Sequence, residues 1–130
     1  MSYLLDTSTL LEFLRAAPSK ALIRRLSQVN PMERATSVIS VSQLLVSARR
    51  ENNSRLMQDV IRLIAAIRVV PYDLSAARSF AKLSATLPPE TETDDLMVGA
   101  IALSRDLTLV TRRREHFSIY PHMRLEDWVQ

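Results

Sequence analysis

The 130-residue chain has no cysteine, which excludes disulfide staples, thiol chemistry and Cys-ligated metal sites. A chain this long buries roughly two-thirds of its unfolded surface on folding, so it needs none of those supports. Gly99 is the single glycine. That rules out a glycine-rich phosphate loop and points to a helix-rich chain with few flexible turns. Aromatic residues make up 5%, too few for a base-stacking platform of the kind that binds single strands. No apolar run reaches the roughly 18 residues of a membrane span. The opening Met1-Ser2-Tyr3-Leu4-Leu5-Asp6 lacks the basic start and long apolar stretch of a secretory leader. The expectation is a cytoplasmic protein with no membrane partner.

What is present is the ordinary balance of one globular domain over residues 1–130, with 47% hydrophobic and 24% charged residues. The net charge is +3, and Lys20 and Lys82 are the only lysines among 17 basic residues. An arginine-rich surface leans toward phosphate, because the guanidinium fork takes two oxygens where an ammonium acts as a point charge.

Apolar spacing divides the chain into alternating strands and helices. Tyr3-Leu4-Leu5 reads as a strand stopping at Asp6-Thr7-Ser8, and Leu10, Leu11, Phe13 and Leu14 follow at helical spacing. Thr9 and Glu12 have the spacing of a capping box, which makes Thr9 the expected cap. Ser19 opens a second helix. Residues 35–39 read as a second strand, followed by Ser40 and Gln43 at capping-box spacing. A long amphipathic helix runs from Asn53 to Ile67, strand 68–72 follows, and Asp73 caps the next helix. Residues 88–93 read as a loop, and Asp94-Asp95 open a helix. Leu107–Thr111 is a fourth strand, and Met123-Arg124-Leu125 a fifth.

This alternation predicts a three-layer α/β/α fold around a parallel sheet of about five strands. Right-handed crossovers place the C-terminal strand ends along one edge, where such folds bind ligands. Asp6, Ser8, Gln43, Thr111 and the run Arg112-Arg113-Arg114 arrive there, with Asp94 and Asp95 nearby. Carboxylates from two distant segments thus converge. Hard divalent ions such as Mg²⁺ and Mn²⁺ prefer carboxylate oxygen. Such an ion can activate a water and neutralise charge on a phosphoryl group.

Four segments in chain order resemble the PIN-domain family and, within it, the VapC-type toxins. Tyr3-Leu4-Leu5-Asp6-Thr7-Ser8 is similar to the family's first motif, a strand ending in Asp-Thr-Asn or Asp-Thr-Ser. Asp95-Leu96-Met97-Val98-Gly99-Ala100 looks like its later acidic helix. Leu109-Val110-Thr111-Arg112 resembles the strand ending in Val-Thr-Asn or Val-Thr-Arg. Met123–Trp128 is similar to the ending Leu-Arg-x-Glu-Asp-Trp. The resemblance implies a Mg²⁺- or Mn²⁺-dependent ribonuclease, an RNA substrate, a cognate antitoxin protein and a homodimer. On that pattern Asp6 and Asp95 are metal ligands, and with Gln43 they form the catalytic set. Ser8, Asp94 and Thr111 support them, and Arg112, Arg113 and Arg114 grip RNA phosphate.

Two positions depart from the pattern. Gln43 stands where the family has Glu, and His116 where it has a fourth acid, with Arg113 in the place of a preceding Asn. These changes imply a weakened nuclease, or a PIN fold that holds RNA or an antitoxin without cutting. Each site residue also has a structural reading. Asp94 and Asp95 suit a helix N-terminus, Gln43 a capping box with Ser40, and the arginines a solvated face. A phosphoacceptor domain would need an acid pair after the first strand and a lysine at a late strand end. Asp6 stands alone after that strand, and neither lysine is so placed.

Overall fold

Tyr3, Leu4 and Leu5 are all buried, but strand geometry sends alternate side chains to opposite faces of the sheet. Leu4 enters a core with Ala35, Ile101 and Leu109, while Tyr3 and Leu5 enter another with Leu10, Leu44 and Val110. A sheet that is apolar on both faces must be covered on both. The computed structural model, which describes residues 2–130, shows that arrangement.

The first layer comprises α1 (Thr7–Phe13), α2 (Lys20–Gln28), α3 (Val38–Arg50) and α4 (Ser54–Ala66), which contribute Leu10, Leu22, Leu44 and Val60. The other comprises α5 (Leu74–Thr86), α6 (Thr93–Ser104) and the short α7 (Arg114–Phe117), with Leu83, Leu96, Ile101 and Phe117. Between them lie β1 (Tyr3–Leu5), β2 (Arg34–Ser37), β3 (Arg68–Val70), β4 (Thr108–Val110) and β5 (Leu125–Glu126), all parallel, in the order β3-β2-β1-β4-β5. The α/β expectation of three layers and five strands holds. A three-residue strand makes few ladder bonds, each worth a net ~1 kcal/mol. Fully burying a leucine is worth about 1.5–3 kcal/mol, so these strands are held chiefly by their faces.

Four local expectations differ from the structure. Asp6, not Thr9, caps α1: its Oδ1 accepts from Thr9 N at 3.0 Å, and Thr9 Oγ1 turns to the Val110 carbonyl. Ser37 caps α3 by accepting from Ser40 N, so β2 ends there and Val38-Ile39 are already helical. Ser40 and Gln43 therefore form no capping box. The fifth strand is shifted to Leu125–Glu126, and α7 is an extra helix between β4 and β5.

The lack of glycine is met by other residues. Asn52 and Asp106 adopt left-handed φ of 48° and 55° just past α3 and α6. There Asn53 N bonds Ala48 O and Leu107 N bonds Ala102 O, closing the last turns. Asn and Asp tolerate this backbone better than other non-glycine residues.

Candidate active site

Strand β1 connects to β2 on one side of the sheet, and the later crossover to β4 fills its other side. The crevice between the C-terminal ends of β1 and β4 is thus the switch point where ligands enter such folds. Asp6 N bonds Val110 O at 3.0 Å, carrying the β1–β4 ladder one residue past the strand. A small cleft of about 30 Å³ opens there, lined by Asp6, Ser8, Gln43, Asp95, Arg113 and Phe117 among others. That is room for a water or a bare ion.

Asp6 is buried and positioned by its own helix. Its Oδ1 accepts from Thr9 N and, at 2.7 Å, from Ser8 Oγ, while Oδ2 accepts no hydrogen bond among the described residues. Ser8 Oγ also accepts from Arg112 N at 3.1 Å and lies 3.5 Å from Thr111 Oγ1, which itself accepts from Arg113 N. Ser8 and Thr111 therefore tie the end of β1 to the end of β4.

Asp95 lies in the first turn of α6, where the helix N-terminus favours a carboxylate. It is buried, and both oxygens are taken. Arg113 donates from Nη1 to Oδ1 at 3.2 Å and from Nη2 to Oδ2 at 3.0 Å, while His116 Nε2 lies 2.7 Å from Oδ2. The Asp95 hydrogen bonds raise the Arg113 pKa above its ordinary value, so the guanidinium is a permanent cation beside the acid.

The side chains that follow brace this pair. The Arg113 guanidinium carbon is 5.7 Å from the Phe117 ring centre, and Phe117 packs against Tyr120 at 5.0 Å. Tyr120 lies over Gly99, one helical turn beyond Asp95. A Cβ on Gly99 would come within 2.7 Å of the Tyr120 ring, so no other residue fits there without a shift. The Tyr120 hydroxyl is buried with no hydrogen-bond partner among the described residues. Burial, and then the charge of Asp95, push its pKa well above that of an ordinary phenol.

Gln43 faces the same cleft from the second turn of α3. Its Oε1 accepts from Thr7 Oγ1, and its Nε2 donates to Asp94 Oδ2 at 3.1 Å. Asp94 is exposed at the rim. All three members of the arginine run are exposed, but Arg113 alone lines the cleft, through its bonds to Asp95. Arg114 lines a separate polar recess with Arg24, Arg25 and Glu126. Glu92 sits at the N-terminus of α6 without a side-chain capping bond, and Glu90 is an exposed loop residue.

A divalent ion does not fit the cleft as it stands. Among the described residues no group of three or more His, Asp and Glu side chains is assembled to hold a metal. Both Asp95 oxygens are engaged, the Gln43 carbonyl oxygen is engaged by Thr7, and of the two cleft carboxylates only Asp6 keeps an oxygen without a hydrogen bond. Sequence reasoning missed that Arg113 and His116 converge on Asp95. The one signal was that both positions depart from the family pattern.

The PIN-domain model matches the chain over residues 3–120. Compared with curated proteins by sequence, the chain matches none. Among solved structures it is similar to a DNA-bound VapBC from Salmonella typhimurium, at 26% identity, 98% coverage of both chains and a TM-score of 0.89. VapBC-1 from nontypeable Haemophilus influenzae is similar at 23% identity, 100% coverage of both chains and a TM-score of 0.87. VapC20 from Mycobacterium tuberculosis, a toxin that cleaves the sarcin–ricin loop, shares the fold at 16% identity and a TM-score of 0.67. That match covers 90% of this chain and 94% of VapC20. No helix among the described residues is long and apolar enough to cross a membrane.

Proposed function

Because this chain belongs to the PIN-domain family, we propose that it is a VapC-type toxin, a ribonuclease that cuts RNA at the Asp6–Asp95 cleft and is held in check by an antitoxin. The observation that carries the reading is the delivery of these two carboxylates, from segments far apart in sequence, to one crevice at the sheet's switch point. On this reading Asp6 and Asp95 are the catalytic acids and would-be metal ligands, with Gln43 beside them. Ser8, Thr111 and Asp94 position the ends of the segments, and Arg112 and Arg114 are free to meet phosphate. The activity is expected to need Mg²⁺ or Mn²⁺ and to be low in the present arrangement, where Asp95 is occupied.

The antitoxin has a ready seat. Helices α1, α2 and α4 enclose an apolar groove of about 410 Å³ lined by Leu10, Phe13, Leu14, Leu26, Leu63 and Ile67, with Asp59 and Arg62 among its polar lining residues. An amphipathic helix suits such a groove. A homodimer belongs to the same reading, and light scattering showing only monomer mass would remove it.

Incubation of the chain with structured and single-stranded RNA and Mn²⁺ tests the activity. Cleavage should stop on chelation, and Asp6→Asn or Asp95→Asn should each slow it by at least about a hundredfold. Parent-level cleavage by both variants would overturn the site. The second reading, a fold that binds RNA or antitoxin without cutting, draws on the Arg113–Asp95 pair and on Gln43. Tight binding with no cleavage at any metal concentration would favour it.

A further inference from the structure

We propose that Arg113 is the resident counter-ion of the acidic cleft: its guanidinium stands in for a divalent cation and keeps Asp95 from ligating one while the 113–120 strap is closed. This deepens the reading above and rests on it only for what the cleft is for.

Three observations converge on the proposal. First, the contact is a two-pronged fork on both Asp95 oxygens, at 3.2 and 3.0 Å, with His116 adding a third contact at 2.7 Å. A metal approaching either oxygen faces a guanidinium a few ångströms away, and at Oδ2 it must also displace two contacts. Second, the strap is anchored at both ends. Its start is tied to β4 by the bond from Arg113 N to Thr111 Oγ1, and Phe117 and Tyr120 are buried beyond it. Tyr120 seats on α6 at the one position without a side chain, so the strap cannot drift while that ring stays in place. Third, the cleft lacks the charge to evict the arginine on a metal's behalf. Its remaining carboxylate is Asp6, and Gln43 contributes a neutral amide. Arg113 is half-exposed, so it has a way out toward solvent once Asp95 lets go.

Mn²⁺ titrated by calorimetry into the parent chain and into Arg113→Gln tests the idea without any RNA. The variant should bind at least about tenfold more tightly, and Mn²⁺ should raise its unfolding temperature more than the parent's. Adding Asp95→Asn to Arg113→Gln should cancel the gain. Equal affinity of parent and Arg113→Gln, or a gain that survives Asp95→Asn, overturns the proposal. Should Arg113→Gln fail to fold, Arg113→Lys carries the test. It keeps the charge but loses the fork, so it should still bind Mn²⁺ roughly threefold more tightly, and parent-level affinity overturns the proposal. Tighter metal binding without RNA cleavage leaves this inference standing and sinks the ribonuclease. RNA cleavage with unchanged metal affinity does the reverse.

Discussion

Asp6 and Asp95 line one cleft and are almost equally buried, at 6% and 5% exposure, so burial is not what separates them. Asp6 is held by neutral donors of its own helix turn and keeps one oxygen open. Asp95 is held by an arginine and a histidine from the far side of β4 and keeps none. The first arrangement is local and would form wherever the sequence Asp-Thr-Ser-Thr enters a helix. The second depends on a strap closing over another helix, and so on tertiary packing. Two copies of one chemical group in one crevice thus differ in availability through the charge and the sequence distance of their partners.

The sharpest way to break the contrast is Gly99→Ala, which forces a methyl into the Tyr120 ring. Overpacking of this kind should cost about 2 kcal/mol in urea unfolding. The Thr9 amide, on the Asp6 side, should keep its protection from hydrogen exchange. A loss below about 0.5 kcal/mol would mean that the ring is not seated on α6. Next comes the Asp6 side itself. Asp6→Ala should cost about 1 kcal/mol as a lost helix cap, and Asp6→Asn only a few tenths, because an amide oxygen caps as well. If both cost the same, the charge and not the cap is what the fold uses. The smallest effect belongs to Gln43→Glu, which sets a carboxylate against Asp94 in place of the present 3.1 Å bond. Asp94 is exposed, so the loss should stay within about 0.5 kcal/mol and fade as salt is added. A larger, salt-independent loss would place position 43 in a drier setting.

The sheet was readable from the chain chiefly at β1 and β4, where a short apolar run stops at a polar residue, whereas β2 is the mostly polar Arg34-Ala35-Thr36-Ser37. Tyr3-Leu4-Leu5 before Asp6 and Leu109-Val110 before Thr111 are the clearest cases. Helix starts were readable at Ser19, Asn53 and Asp73. They were misplaced where two candidates stood three residues apart and the later one also began a capping-box spacing. Asp6 precedes Thr9, and Ser37 precedes Ser40; in both cases the earlier residue supplied the capping oxygen and the later one the backbone N–H. The four-residue α7 is too short to show a period. The Asp6 side of the cleft was legible as a strand end. The Asp95 side was legible as an acid but not as an occupied one. Which of three consecutive arginines turns inward depends on the path of the strap after β4, and no spacing rule contains that path.

The parallel pairing of β1 with β4 also bears on the order in which the molecule comes into being. Tyr3–Leu5 lie at the centre of the sheet, but one of the two neighbours that flank them is made only near residue 108. During synthesis from the N-terminus, β1 can find β2 early, whereas the crevice beside Asp6 has no opposite wall until α6 and β4 have emerged. Long-range parallel pairing of this sort is slow as well as late, because its loop-closure cost precedes any contact that offsets it. A nascent chain therefore carries Asp6 without the opposite wall of its crevice until β4 and Arg113 have been made.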